Sequence, residues 1–150
     1  MKLLLLSDSH RDVASMAAAF CREMPDLVIH LGDHITDGQQ LQQQFPACSM
    51  TLLPGNCDFS SETPTRLLTV EGQRLFLCHG HTLGVKSSLL RGAYAAREKN
   101  AQAFFFGHTH IPLLLQQEDL LLCNPGSIRD GNYAVVTALP GILQAELKRL

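Results

Sequence analysis

The chain has 150 residues, of which 45% are hydrophobic and 17% charged. That balance fits one packed globular domain over residues 1–150 and excludes a disordered chain. Twelve Lys and Arg against fourteen Asp and Glu leave a formal charge of −2. No basic field exists to draw a nucleic acid, so none is expected as a partner. Taken in chain order, Met1–Ser7 is an apolar run that breaks at Asp8-Ser9-His10, the pattern of a buried strand feeding a loop. Its Leu3–Leu6 core is too short for a signal peptide or a membrane span, and nothing longer follows. A cytoplasmic protein with no membrane contact is expected. Asp12 is placed to cap a helix from Val13 to about Met24, closed by Pro25. Leu27–Leu31 is a second buried strand ending at Gly32-Asp33, and Asp37–Phe45 a polar helix. Met50–Leu53 is a third strand ending at Pro54-Gly55-Asn56, so the first sixty residues predict β-α-β-α-β and a parallel sheet.

The second half changes character. Arg66–Val70 and Arg74–Cys78 flank Glu71-Gly72-Gln73, a hairpin pattern, and the second strand runs into His79-Gly80-His81. A helix is predicted from Val85 to about Glu98, then a strand Ala103–Phe106 ending at Gly107-His108-Thr109-His110. Four short strands follow, Pro112–Gln116, Leu120–Cys123, Tyr133–Ala138 and Ile142–Leu147, all expected to pair antiparallel. Their hairpin edges offer a route to a homodimer. The five cysteines lack any CxxC spacing. Reduced thiols are expected, with Cys21, Cys48, Cys78 and Cys123 as small core residues.

Five strands run out into loops that carry Asp, Asn or His. In an open α/β sheet, ligands bind beyond the carboxyl ends of the strands, so these loops should meet on one rim. The rim residues are Asp8, His10, Asp33, Asn56, His79, His81, His108 and His110, which include five of the seven histidines. Carboxylate and imidazole donors suit Mn, Fe, Zn or Ni rather than a soft thiolate site. They are too many for one tetrahedral ion and about right for two ions sharing a carboxylate. Two divalent ions against two carboxylates leave a net positive centre that can receive a phosphate anion.

Asp8-Ser9-His10, Gly32-Asp33, Gly55-Asn56-Cys57-Asp58, His79-Gly80-His81 and Gly107-His108-Thr109-His110 occur in that order. The set resembles the calcineurin-like metallophosphoesterase family, whose pattern is DxH, GD, GNHD or GNHE, GH and GHxH. Asn124-Pro125-Gly126-Ser127 extends the likeness to the small YfcE-like phosphodiesterases. The resemblance implies two mixed β-sheets packed face to face and flanked by helices. It implies a phosphodiesterase that cleaves small phosphodiesters by attack of a hydroxide bridging two divalent ions, with manganese favoured and Ni, Fe or Zn as alternatives. Asp8, His10 and His110 would bind the first ion, Asp33 would bridge, and Asn56, His79 and His108 would bind the second. His79 is preferred to His81 because it stands directly at the strand end.

The resemblance makes Asn56, Cys57, Asp58 and His108 the catalytic candidates. Cys57 replaces the histidine that larger family members use as proton donor, and Asp58, which would have oriented that histidine, is free to hold the loop. Inside its strand, His30 fits a packed or edge position rather than a ligand, and His34 fits a solvated loop better than the site. Arg11 and Arg129 suit a phosphate grip and a solvated surface equally. Phe104-Phe105-Phe106 fits a core strand. The rival to an enzyme is a protein-interaction scaffold on the same fold, as in the retromer subunit that resembles this family. Loss of metal ligands would mark that case, and here His10 and the other expected ligands are present.

Overall fold

The computed structural model describes residues 1–150 and contains ten strands and three α-helices. The strands are β1 (Lys2–Leu6), β2 (Leu27–His30), β3 (Ser49–Leu52), β4 (Thr65–Val70), β5 (Gln73–Cys78), β6 (Ala103–Phe105), β7 (Leu113–Gln117), β8 (Leu120–Asn124), β9 (Asn132–Leu139) and β10 (Ile142–Arg149). The helices are α1 (Val13–Glu23), α2 (Ile35–Gln44) and α3 (Leu90–Glu98). One sheet has the order β10-β9-β1-β2-β3 and the other β4-β5-β6-β8-β7. The expected architecture of two mixed sheets flanked by helices is what the chain adopts. No helix is long and apolar enough to cross a membrane.

The leucine run of β1 shows why both faces are apolar. Leu3 and Leu5 point between the sheets, where they join Leu75, Leu77, Phe105 and Cys123 of the second sheet. Leu4 and Leu6 point the other way, onto Met16, Ala19 and Phe20 of α1 and Leu41 of α2. The second sheet repeats the pattern, with Phe76, Phe104 and Leu122 packed against Ala93 and Ala96 of α3. Strands covered on both faces lose the polar alternation of a half-buried sheet. Phe104, Phe105 and Phe106 are all buried.

β1, β2 and β3 run parallel, as do β5, β6 and β8, so six carboxyl-terminal loops open on one rim. Here the antiparallel expectation for Leu120–Cys123 is corrected. β7 and β8 form an antiparallel hairpin, but β8 also pairs parallel with β6, with Leu122 opposite Phe104. β7 lies on the outer side of β8, so the chain leaves β6, turns through β7 and returns alongside β6 in its original direction.

Two other expectations also change. α3 begins at Leu90 rather than Val85. Gly80 and Gly84 take positive φ values of 114° and 63°, and a 3-10 turn at His81–Leu83 lies between them. Val85 is apolar because it is buried in the α3-side core, not because it is helical. Among the cysteines, Cys78 and Cys123 are buried, but Cys21 is exposed and Cys48 half-buried. α1 buries Met16, Ala19, Phe20 and Glu23, which leaves Cys21 on its outer face. The hairpin and the cap agree with expectation. Glu71 and Gly72 both have positive φ, as a two-residue turn of this hand needs. Asp12 accepts from the Ser15 N–H at 3.0 Å.

Glu23 anchors the end of α1 to the sheet. Its buried Oε1 accepts from the Tyr133 hydroxyl at 2.9 Å, and Lys148 Nζ lies 3.2 Å from both carboxylate oxygens. Burial alone would raise the carboxyl pKa, but Tyr133 and Lys148 outweigh it and hold the group below its ordinary value. The stabilisation is therefore present above the ordinary glutamate range, near pH ~4.3, and is lost as pH falls through the lowered folded value. Glu23→Gln should cost about 1.5–3 kcal/mol at pH 7. Urea melts should show that deficit shrinking below about pH 4.

Candidate metal centre

Asp8 and His10 follow β1, Asp33 follows β2, Asn56 and Cys57 follow β3, His79 and His81 follow β5, and His108 and His110 follow β6. The loops are sharply bent. Asp8, His10, Asp33, His108 and His110 all have φ between 42° and 68°. Each such residue costs on the order of 1–2 kcal/mol where glycine would be relaxed. Side chains that persist in this conformation at one rim point to a functional demand.

Asp8 is fully buried. Its Oδ2 accepts from the Ser7 hydroxyl at 2.6 Å and the His108 N–H at 3.1 Å. Its buried Oδ1 has no hydrogen-bond donor and faces His110 Nε2 at 3.1 Å and His79 Nε2 at 3.8 Å. His10 Nε2 lies 3.3 Å from His110 Nε2. Ligand atoms of Asp8, His10, Asp33 and His110 all fall within 4.8 Å of one another. A buried carboxylate oxygen with no donor, facing imidazole nitrogens, is the arrangement a cation satisfies.

A second electron-rich group surrounds His79 Nε2. Asn56 Oδ1 is 3.0 Å away, His108 Nδ1 3.2 Å and Asp33 Oδ2 3.4 Å. His79 Nδ1 sits 2.9 Å from the Leu31 carbonyl and donates to it, which aims Nε2 into the group. Asp33 stands between the two groups. Burial would raise its carboxyl pKa, but His79 and the Cys57 N–H, 2.9 Å from Oδ1, hold it below the usual carboxylate range. Burial lowers the His10 and His108 pKa values, and neighbouring imidazoles add to the effect. The shift favours the neutral form of both rings, the form a metal ligand takes. Oxygen and imidazole donors of this kind fit divalent first-row ions.

The structure brings together all seven residues expected to bind metal. His81 stands outside the contacts around His79 Nε2, its ring centroid 5.5 Å from that of His79. Asp58 holds the loop, accepting from Ile35 N–H at 2.9 Å and Gly55 N–H at 2.8 Å. Cys57 is exposed beside Asn56 Nδ2, 3.7 Å away. Burial and the Asp33 carboxylate raise its thiol pKa. His30 is a packed interior histidine, since β2 lies between β1 and β3. The solvated position expected for His34 is corrected, because it is half-buried with its ring 5.1 Å from that of His10.

Sequence reasoning missed the support beneath the site. The Ser9 hydroxyl donates to Asp37 Oδ2 at 2.7 Å and lies 3.1 Å from His30 Nε2. The same Asp37 oxygen accepts from the Arg11 N–H at 2.7 Å. This buried network ties the Asp8–Arg11 loop to β2 and α2. Its only sequence signals were a histidine inside a buried strand and an aspartate in the first turn of α2.

The chain belongs to the calcineurin-like phosphoesterase superfamily, whose domain matches residues 1–139. It is 35% identical over 148 residues to the probable metallophosphoesterase YsnB of Bacillus subtilis, covering 91% of this chain and 84% of that protein. Phosphodiesterase YfcE of Escherichia coli K12 is 27% identical over 162 residues, covering 89% of this chain and 84% of YfcE. A single mutant of Vps29 from Entamoeba histolytica shares the fold, with a TM-score of 0.77 at 16% identity over 100% of this chain and 99% of that one. The family read from the motifs is thus the family of the chain.

Proposed function

We propose that the protein is a phosphodiesterase that uses two divalent ions to hydrolyse small phosphodiesters. Asp8, His10 and His110 would hold one ion, Asn56, His79 and His108 the other, with Asp33 between them. The observation that carries this reading is the convergence of carboxylate, amide-oxygen and imidazole atoms around Asp8 Oδ1 and His79 Nε2. When bound, such ions supply a nucleophilic water at neutral pH and polarise the phosphoryl group. Likeness to YfcE supports the diester over the monoester.

The residues of the chain orient and exchange protons. The Asp8 carboxylate is fixed by Ser7 and the His108 N–H, and His79 by the Leu31 carbonyl. In hydrolysis the water oxygen bonds to phosphorus, the bond to the leaving oxygen breaks, and that oxygen takes up a proton. Cys57, a protonated thiol at the rim, is the donor this chain offers. A thiol donates less readily than an imidazolium near neutrality. Cys57→His should therefore raise kcat for an alkyl leaving group by about 10-fold relative to a nitrophenyl one. A ratio that does not move removes Cys57 from the role.

The test is hydrolysis of a chromogenic phosphodiester and its monoester by chelator-stripped protein, with Mn, Ni, Fe or Zn restored singly. Turnover should appear with metal, favour the diester and disappear on chelation. The Vps29-like fold supports a second reading, a protein-interaction scaffold. Bound metal with no turnover of either ester would favour that scaffold.

A further inference from the structure

A groove leaves the metal centre on the His10 side, and no apolar side chain lines it. One hollow of about 520 Å³ is walled by His10, Arg11, Asp12, His34 and Arg129. An adjoining hollow of about 300 Å³ shares His10 and Arg129, reaches His110, and is completed by Ser127 and Asp130. The groove is thus continuous with the cluster around Asp8 Oδ1. It offers no Phe, Tyr or Trp to stack on a nucleobase and no greasy wall for an acyl chain.

The two arginines are the only cations in this groove, and both are exposed. Neither guanidinium takes part in an ion pair. Nor does either make a side-chain hydrogen bond, since Arg11 bonds only through its backbone N–H. Two carboxylates, Asp12 and Asp130, also line the groove, but neither forms an ion pair with an arginine, and Asp12 is held at the start of α1 by Ser15. Arg11 also holds a left-handed backbone, φ 71°, pinned by the buried Asp37 carboxylate. The fold tolerates this strain at a residue whose guanidinium makes no hydrogen bond or ion pair within the protein, which points to a ligand outside it.

We propose that Arg11 and Arg129 form a subsite for a second phosphate, carried on the alcohol that stays esterified to the scissile phosphorus. The inference rests on the hydrolase reading and specifies its substrate class: a small phosphodiester with a further phosphate on its retained side. Guanidinium forks match phosphate oxygens in pairs, and both forks here are free of protein partners. The retained side is assigned because Cys57, the donor to the leaving group, belongs to the β3 loop and lines neither hollow.

Three nitrophenyl phosphodiesters with one leaving group test this: their retained alcohols are 1-propanol, 3-phosphopropanol and choline. For the manganese-loaded protein, kcat/KM for the phosphopropyl ester should exceed that for the propyl ester by at least about 10-fold, with choline poorest. Arg11→Gln and Arg129→Gln should each shrink the phosphopropyl-to-propyl ratio by about 5-fold or more. Arg66→Gln, on the exposed edge of the far sheet, should leave that ratio unchanged. Equal values for the three esters, or a ratio untouched in both groove variants, would overturn the subsite while leaving the hydrolase intact. No turnover of any ester would overturn the hydrolase reading and the subsite with it.

Discussion

Asp33→Asn should reduce metal-dependent diester hydrolysis by about 10³-fold or more while leaving the protein folded. Asp33 belongs to both donor groups, with Oδ2 beside His79 Nε2 and Oδ1 bound by the Cys57 N–H. An amide keeps an oxygen for that N–H, so the loop after β3 retains its anchor. What is lost is the charge that draws a cation between two clusters. Two readouts separate this from a folding defect. The metal-free variant should still unfold in one cooperative transition, as the parent does. The stabilisation that manganese confers on the parent, about 2.7 kcal/mol at one hundred times its dissociation constant, should be largely absent. A variant that loses activity but keeps the full metal-induced shift would place Asp33 outside the ligand set.

Gly55→Ala is expected to damage both folding and turnover, although it adds one methyl group to a loop. A Cβ at Gly55 would fall on the backbone nitrogen and the Oδ1 of Asp33, positions no side-chain carbon can share. Neither atom is the loose end of a flexible side chain. Relief requires the β3 loop or the Asp33 loop to shift. Overpacking of this kind costs about 1–3 kcal/mol. A displacement of about 1 Å at a reacting group costs about 10²-fold in rate. Urea denaturation and diester kinetics on the same preparation give both numbers. Parent-like stability together with parent-like turnover would show that the two loops leave room for the methyl group. Gly107 makes a similar approach to Ser7 Oγ and Asp8, so the glycines before the ligands set the distance between loops.

Most of the site was legible because it follows from strand ends. Apolar runs such as Leu3–Leu6 and Leu27–Leu31 mark doubly covered strands, and the polar residue after each run is placed on the rim by topology alone. The pairing of β8 with β6 was not legible. Local pattern shows a hairpin, whereas the parallel partner is set by a contact between residues about eighteen apart, Phe104 and Leu122. The start of α3 was misread because Val85 is apolar for a tertiary reason, and two left-handed glycines keep its surroundings irregular. The Ser9–His30–Asp37 support joins three elements through side chains, and no spacing rule connects them. Cys21 was misplaced by residue type, since cysteine is usually buried, while the helical period puts it outside.

The central claim is that two ions share the carboxylate of Asp33. Electron paramagnetic resonance of the protein titrated with manganese, read with elemental analysis, tests it most directly. Two ions per chain, about 3.5–4 Å apart, should give an exchange-coupled spectrum as the second equivalent binds, and Asp33→Asn should abolish the coupling. Saturation at one ion per chain, with the six-line signal of isolated manganese, would contradict the account.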